Sequence, residues 1–471
     1  MSQQNPEAFY DAIIVGGGIS GLTLAYRLKA QNKRVLLLEA DTEPGGVIKS
    51  FQVQMARGKV LLEAGPNTVP TSAREFMELA DAVGLLPIRS SPLAKNRYIY
   101  LAGQLVKVPG GPLSFLFSPI LSLSGKLGLL RDLIQPPCSQ NDPSLADFIT
   151  HRFGPEVLSN LVTPAVTGIY ASDPAQMSLQ ATFPFLAIWE RQYGSVIKGA
   201  FAALKKKKQA AAKDKTKQTY ALLSFEEGLQ ALPKALAKAL QPNIRLASPV
   251  FRVEVLNKKH SEEFEYQVTL ESGEQVSARS LVLATPAEVS ASLLSNLQTE
   301  AAGLLKTIEY SPMHLVYLGF EKSALKKDWD GFGFLVPRNQ NLQLLGSIWC
   351  SAIFPERFAD TLAVSVHFQG GAFYPQLSRL SDDALIAQTL QDVQTIYRDA
   401  NLMPVFSLVR RWPRAIPQYT PGHIERQQKV DALLARDCPG LYLLGNYRSG
   451  VSLNDCVKQA NALAECMTLT S

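Results

Sequence analysis

Apolar residues open the chain in two short continuous runs separated by a helical stretch. Residues 11–15 read Asp-Ala-Ile-Ile-Val and residues 34–38 read Arg-Val-Leu-Leu-Leu, each with the composition of a strand buried on both faces. Between them come Gly16, Gly18 and Gly21 and then Leu-Thr-Leu-Ala-Tyr-Arg-Leu at 22–28. The order is therefore strand, tight turn, helix, strand. Gly16 permits the turn, Gly18 lets a pyrophosphate approach the main chain, and Gly21 lets helix and strand pack closely. Unpaired N–H groups at the helix start suit phosphate, and Glu39, closing the second run, can accept both ribose hydroxyls. This spacing predicts an adenine dinucleotide site.

Residues 61–67, Leu-Leu-Glu-Ala-Gly-Pro-Asn, predict a strand that ends in a cofactor-facing loop, with Gly65-Pro66 as its sharp turn. Apolar side chains then recur at 113, 116, 117, 120, 123, 127, 130 and 134, broken near Pro119, which is helical spacing. Two readings of this stripe stand side by side. It is either a helix pair packed on the core or an apolar lip that dips into one bilayer leaflet, with Lys126 and Arg131 at the headgroups. Residues 205–217, Lys-Lys-Lys-Lys-Gln-Ala-Ala-Ala-Lys-Asp-Lys-Thr-Lys, predict a mobile surface loop, because like charges repel and little apolar surface is available for burial; contact with anionic lipid is the alternative. An amphipathic helix is expected from Gly228 to Leu240, and strands at 245–255, 264–270 and 278–284.

The strand Ser280-Leu-Val-Leu-Ala-Thr-Pro-Ala stops at a proline, and Pro439-Gly-Leu-Tyr-Leu-Leu-Gly-Asn gives another buried strand before a helix from about Asn454. The nucleotide domain is accordingly expected to be discontinuous, over residues 1–88, 222–298 and 424–471. Residues 299–423, with 89–94 and 199–221, form a substrate domain, and 95–198 a helical one. The fold class is α/β, α+β overall: a Rossmann-like dinucleotide domain, a mixed-sheet substrate domain and a helical membrane-facing domain.

At 471 residues the chain is long enough for two or three domains, and its 46% hydrophobic and 19% charged residues are ordinary for a globular enzyme. A net charge of +6, from 47 basic and 41 acidic side chains, suits an anionic substrate or membrane and carries no nucleic-acid footprint. The five cysteines have no disulfide or zinc spacing, which points to a reducing compartment. Residues 1–10 have no secretory character, and no apolar stretch reaches the roughly 18 residues of a membrane span. Membrane contact would be peripheral. His151, His260, His314, His367 and His423 are too dispersed to argue a ligand set, and each is read as solvated or packed.

A flavin must be held at more points than a nicotinamide. Three further features supply them: Gly45-Gly46, Gly65-Pro66-Asn67, and a C-terminal segment in which the N–H groups of Val451, Ser452 and Leu453 at a helix start can stabilise negative charge on a reduced ring. The cofactor is read as FAD, bound without a covalent link.

Five further segments carry a family resemblance: Lys95-Asn-Arg-Tyr-Ile-Tyr100, Thr167-Gly-Ile-Tyr-Ala-Ser-Asp173, Gly331-Phe-Gly-Phe-Leu-Val-Pro337, Ile416-Pro-Gln-Tyr-Thr-Pro-Gly-His423 and Gly450-Val-Ser-Leu-Asn-Asp-Cys456. In this order they make the chain resemble the oxygen-dependent, FAD-containing protoporphyrinogen oxidases, within the amine oxidase and phytoene desaturase superfamily. The resemblance implies six-electron oxidation of protoporphyrinogen IX with O2 as acceptor and H2O2 released, in three flavin cycles, as the penultimate step of haem synthesis. It implies that Arg97 pairs with a substrate propionate, that Leu335, Ile348 and Phe368 sandwich the tetrapyrrole, and that the Gly168 carbonyl lies where the reacting methylene meets flavin N5. Trp412 and Val250 correspond to flavin-contacting positions.

The same resemblance implies a homodimer, hand-over to ferrochelatase and a cytoplasmic location at the inner face of the membrane. No protein acid or base is assigned, since the electron-rich macrocycle can give hydride to flavin while its pyrrole N–H protons leave by tautomerism. Two departures from the family pattern are Glu43 before Pro44-Gly45-Gly46, where arginine is common, and isoleucine in place of leucine at 348. The first puts one phosphate or ribose contact in doubt. Coproporphyrinogen III oxidation is the nearest rival. An amine oxidase or carotenoid desaturase, and a non-catalytic flavin or porphyrin carrier, are more distant alternatives.

Overall fold

Continuous apolar runs such as Ala12–Val15 and Val35–Leu38 need cover on both faces, and the computed structural model, which describes residues 9–55, 58–213, 220–257 and 264–469, supplies it around a seven-stranded sheet. Strand β1 (Phe9–Val15) leads through the glycine turn into helix α1 (Ile19–Ala30) and strand β2 (Val35–Leu38). β1 lies parallel between β2 and Gln275–Leu283. Ile244–Arg245 extends the sheet beyond β2, Phe264–Leu270 and Val250–Asn257 extend the other side, and Leu441–Leu443 pairs in parallel with Gln275–Leu283. The strands thus come from three separated stretches of chain. Helices α1, Arg74–Ala82, Ala231–Leu240 and Leu453–Leu469 cover one face through Leu22, Phe76, Leu236 and Val457. Ala287–Leu294, Thr299–Lys306 and His423–Asp437 cover the other through Leu294, Leu305 and Val430.

The second sheet also has seven strands, running Phe406–Pro417, Tyr310–Glu321, Leu362–Gly370, Gly346–Ile348, Gly333–Leu335, Tyr98–Leu101 and Gln104–Lys107. Its alternating strands present two faces. One packs through Val316, Leu318 and Phe320 on the helix Asp382–Tyr397. The other meets, at one end, the hairpin of β3 (Ser50–Met55) and β4 (Gly58–Glu63) through Leu315, Tyr317, Val364, Val60 and Leu62. At the other end Ile99 and Leu101 meet a helical layer that includes Phe148, Ile149 and Val166. Within that layer Arg152 is fully buried, held by Glu190 at 2.5 Å and Asp132 at 3.4 Å.

Three sequence expectations change. The lysine-rich segment is helical as far as the structure describes it, since Val196–Lys213 is one helix. Ala, Lys and Leu are strong helix formers, and packing at the N-terminal end, where Gly199 sits against Trp189, pays the nucleation cost that repulsion was expected to forbid; residues 214–217 lie outside the described residues. The strand at 245–255 is two strands, because Ala247 turns left-handed at φ 49° and sends its own N–H to Asp41 O and that of Ser248 to Glu39 O. The stripe at 113–134 does form a helix pair, Pro112–Leu116 and Leu123–Leu130, but only Ile120 of its periodic positions is buried. Leu113, Phe117, Leu123 and Ile134 are 77%, 84%, 74% and 85% exposed, so the stripe itself faces outward, while Phe115, Ile120, Leu121 and Leu129 pack the pair on the core of the helical layer. No helix among the described residues is long and apolar enough to cross a membrane.

Candidate functional site

The glycine turn is built as its spacing requires. Gly16 takes φ 111° and donates to Leu38 O, and a Cβ on Gly21 would collide with the Gly16 carbonyl. Gly18 is different: a Cβ there would meet nothing within 4 Å, so its role is to leave room. It caps α1 with no side-chain hydrogen bond and no acid in the first turn, leaving the first amides of α1 free for an anion. Gly45 bridges to Gly18 and donates to Gly17 O at 2.8 Å, and Gly46 lies against Gly18. The Glu39 carboxylate receives the N–H groups of Gly17 (2.5 Å) and Asp41 (2.8 Å). That fixes it at the mouth of the turn with lone pairs to spare for ribose hydroxyls. Val250 begins its strand two residues after Ser248, which is bonded to the Glu39 carbonyl. Glu43 is engaged away from the turn, accepting from Gln230 Nε2 at 3.0 Å with Lys234 Nζ at 3.9 Å.

The loop after β4 is held at several points. Asn67 Nδ2 donates to Gly65 O, a Cβ on Gly65 would collide with Val47 O, Trp412 Nε1 donates to Ala64 O at 2.5 Å, and Tyr317 Oη donates to Glu63 O at 2.6 Å. Glu63 itself is buried, and its carboxylate receives Ser50 Oγ, the Leu229 N–H and Arg357 Nη1. Burial pushes this carboxyl up, and those donors pull it back. Val451 and Ser452 lead into the helix Leu453–Leu469, where Ser452 Oγ accepts from the Asp455 N–H at 3.1 Å. Tyr419 Oη ties the approach to this helix, donating to Asn446 O and accepting from the Gly450 N–H, while its ring stacks on His423 at 4.2 Å. Tyr317 and Arg357 escaped the sequence reading, and Tyr419 and Glu63 stood in it only as members of longer segments: their hydrogen-bond partners lie tens to hundreds of positions away, and no local pattern marks them.

The second sheet brings the apolar candidates together. Leu335 pairs with Gly346, Gly346 with Phe368, and Ile348 follows two residues on, so Leu335, Ile348 and Phe368 share one face. Gly168, in the helix Thr163–Tyr170, lies against it, for a Cβ there would stand 2.6 Å from Leu335 Cδ2. Ile99 pairs with Leu335, and Arg97, two residues earlier, is exposed with its guanidinium 4.5 Å from the centre of the Phe332 ring. His367 points to the opposite, buried side, bonded to Ser365 Oγ at 2.8 Å, with its pKa lowered by burial to about 3. Burial likewise takes His423 to about 4 and lowers His314. His151 is half-buried with Nε2 2.9 Å from Pro136 O, and His260 lies outside the described residues. No metal-competent group of three or more His, Cys, Asp or Glu occurs among the described residues.

A family model for flavin containing amine oxidoreductase matches residues 19–468. The chain belongs to this family. The oxidoreductase therefore uses FAD, and the open Gly18 concavity, the free amides of α1 and the poised Glu39 fit that dinucleotide. Chloroplastic protoporphyrinogen oxidase of Nicotiana tabacum is 31% identical, covering 98% of this chain and 86% of that one. Coproporphyrinogen III oxidase of Bacillus subtilis (strain 168) is 28% identical over 96% of both. A crystal structure from Exiguobacterium sp. 255-15, assigned to protoporphyrinogen oxidase, superposes with a TM-score of 0.79 at 25% identity over 98% of this chain and 99% of that one.

Proposed function

We propose that this flavoenzyme oxidises protoporphyrinogen IX to protoporphyrin IX in haem biosynthesis, passing six electrons through FAD to O2 in three two-electron cycles and releasing H2O2. The observation that carries the reading is the convergence of Leu335, Ile348 and Phe368 on one sheet face, with Gly168 against it and Arg97 beside its end. A largely apolar macrocycle gains from such a face by excluding water. Its propionate gains from a guanidinium, which is permanently charged and matches a carboxylate with two parallel donors. The Gly168 backbone is left to hold a bridging methylene toward flavin N5. FAD supplies the hydride acceptor when bound. The protein's share is binding, orientation and exclusion of solvent.

Gly16, Gly18, Gly21, Gly45 and Gly46 would receive the pyrophosphate, Glu39 the ribose and Val250 the adenosine side. Gly65, Pro66, Asn67, Trp412 and the amides of Val451, Ser452 and Leu453 would surround the isoalloxazine. Turnover measured side by side with protoporphyrinogen IX and coproporphyrinogen III tests the choice of substrate. Preference for the first is expected, and a strong preference for the four-propionate substrate overturns it.

We also assign the exposed stripe of Leu113, Leu116, Phe117, Leu123, Leu127, Leu130 and Ile134 to peripheral contact with a membrane. Monomeric soluble proteins rarely leave so many adjacent apolar groups in water. The exposed Lys205–Lys208 and the exposed Phe201 and Leu204 on the helix Val196–Lys213 have the charge and apolarity for an anionic leaflet. An apolar product leaving at such a lip suits direct hand-over to ferrochelatase.

A further inference from the structure

The loop Glu63–Asn67 is gripped by the second sheet at three points: Tyr317 at the Glu63 carbonyl, Trp412 at the Ala64 carbonyl, and Arg357 at the Glu63 carboxylate, 3.3 Å away. The first two bonds come from strand residues fixed by their ladders. The third differs. Arg357 ends the short turn Pro355–Arg357, which the helix Cys350–Ile353 separates from Ile348. Its Nη2 donates to Ser224 Oγ at 2.6 Å and to Phe225 O, and its guanidinium lies 4.6 Å from the Phe354 ring centre. Both charged side chains are almost completely buried, at 5% and 4% exposure. Between them and the candidate substrate wall is a cavity of about 20 Å³, lined among others by Glu63, Asn67, Ile348, Cys350 and Arg357. Arg357 Nε, buried, has no hydrogen-bond partner among the described residues.

A buried ion pair adds little net stability over a well-packed apolar replacement, because desolvation offsets the attraction. What this pair does is geometric. One rigid fork connects the loop proposed to face the flavin, the strand Leu222–Ser224 and the turn Pro355–Arg357, which the helix Cys350–Ile353 joins to Ile348. We propose that Arg357 is a positioning residue for the flavin reaction, which through Glu63 holds the loop Gly65–Asn67 at a set distance from the substrate wall at Ile348. The inference rests on the flavin and substrate assignments given above. Lysine cannot replace it, since a single ammonium cannot reach Glu63, Ser224 and the Phe225 carbonyl in one fixed plane.

Removing Arg357 alone leaves Glu63 buried and unpaired, so the informative variant is the double substitution Glu63→Gln with Arg357→Gln, with Arg357→Lys as the second. Each holoenzyme is mixed anaerobically with protoporphyrinogen IX, and the limiting rate of flavin bleaching, its half-saturating concentration, the FAD dissociation constant and the visible circular dichroism of the flavin are recorded. The double variant is expected to fold with an unchanged half-saturating concentration, a limiting rate at least tenfold lower and an altered flavin dichroism. Arg357→Lys should show the same change in milder form. A wild-type rate and dichroism in a folded, FAD-loaded variant would overturn the proposal and leave the pair with a purely structural role. If wild-type flavin is not bleached at all, the substrate assignment fails, and dichroism and FAD affinity alone decide: values unchanged in the variants reject the positioning role, and changed values support it.

Discussion

At the scale of single residues, the exposed guanidinium of Arg97 is the group asked to select an acidic substrate. Replacing it with methionine keeps an unbranched side chain over Phe332 and removes only charge and donors. A charge-assisted pair is worth ~1.5–3 kcal/mol, so R97M should raise the half-saturating porphyrinogen concentration by roughly 10- to 100-fold. FAD content should be unaltered; steady-state kinetics with a flavin assay checks both. The glycines divide in a way the motif alone does not reveal. Gly18 has ordinary extended backbone (φ −70°, ψ 175°) and open space beside it, whereas Gly21 abuts the Gly16 carbonyl. G18V should therefore fold with an apo-protein melting temperature close to that of the parent while losing FAD. G21V should fail to fold at all. Thermal unfolding and flavin retention on gel filtration separate the two.

At the scale of elements, what could be read from sequence was what is local. The strand, turn, helix and strand of residues 9–38 and the helix after Ser452 declare themselves through contiguous apolar runs and glycines, and the structure forms them. The segment Val196–Lys213 misled because charge repulsion was weighed without helix propensity. The split near Ala247 was invisible because its cause, bonds to Glu39 and Asp41, lies over 200 residues away. The face proposed for the substrate was legible only through family resemblance: its residues are spread from Arg97 to Phe368, and no periodicity links them. The apolar stripe belongs to this scale too. Its spacing predicted helices, but only burial could tell outward from inward. L116E with L123E should release the protein from anionic vesicles in a flotation assay without changing its melting temperature, and undiminished binding would count against the membrane reading.

At the scale of the whole molecule, burial sets an acid limit. His423 and His367 are held neutral, at about 4 and about 3, against about 6.5 in an unfolded chain. As pH falls below about 6.5 the unfolded state takes up protons that the folded state refuses, so stability is lost progressively toward pH 4, by roughly 3 kcal/mol from His423 alone. Above pH 6.5 these groups contribute no pH dependence. H423Q should flatten the fall of melting temperature between pH 6.5 and 4.5, a slope that calorimetry reads directly. The first sheet carries the nucleotide turn and the second the apolar face proposed for the substrate, and the loop Glu63–Asn67 is bonded to the second through Tyr317 and Trp412. We propose that electrons pass from a porphyrinogen on that face to FAD held by that turn. It is tested most directly by adding protoporphyrinogen IX to the FAD-loaded enzyme without oxygen. Loss of the visible flavin band is expected, with one porphyrin formed for every three flavins reduced; a flavin that stays oxidised while the porphyrinogen persists would overturn this transfer.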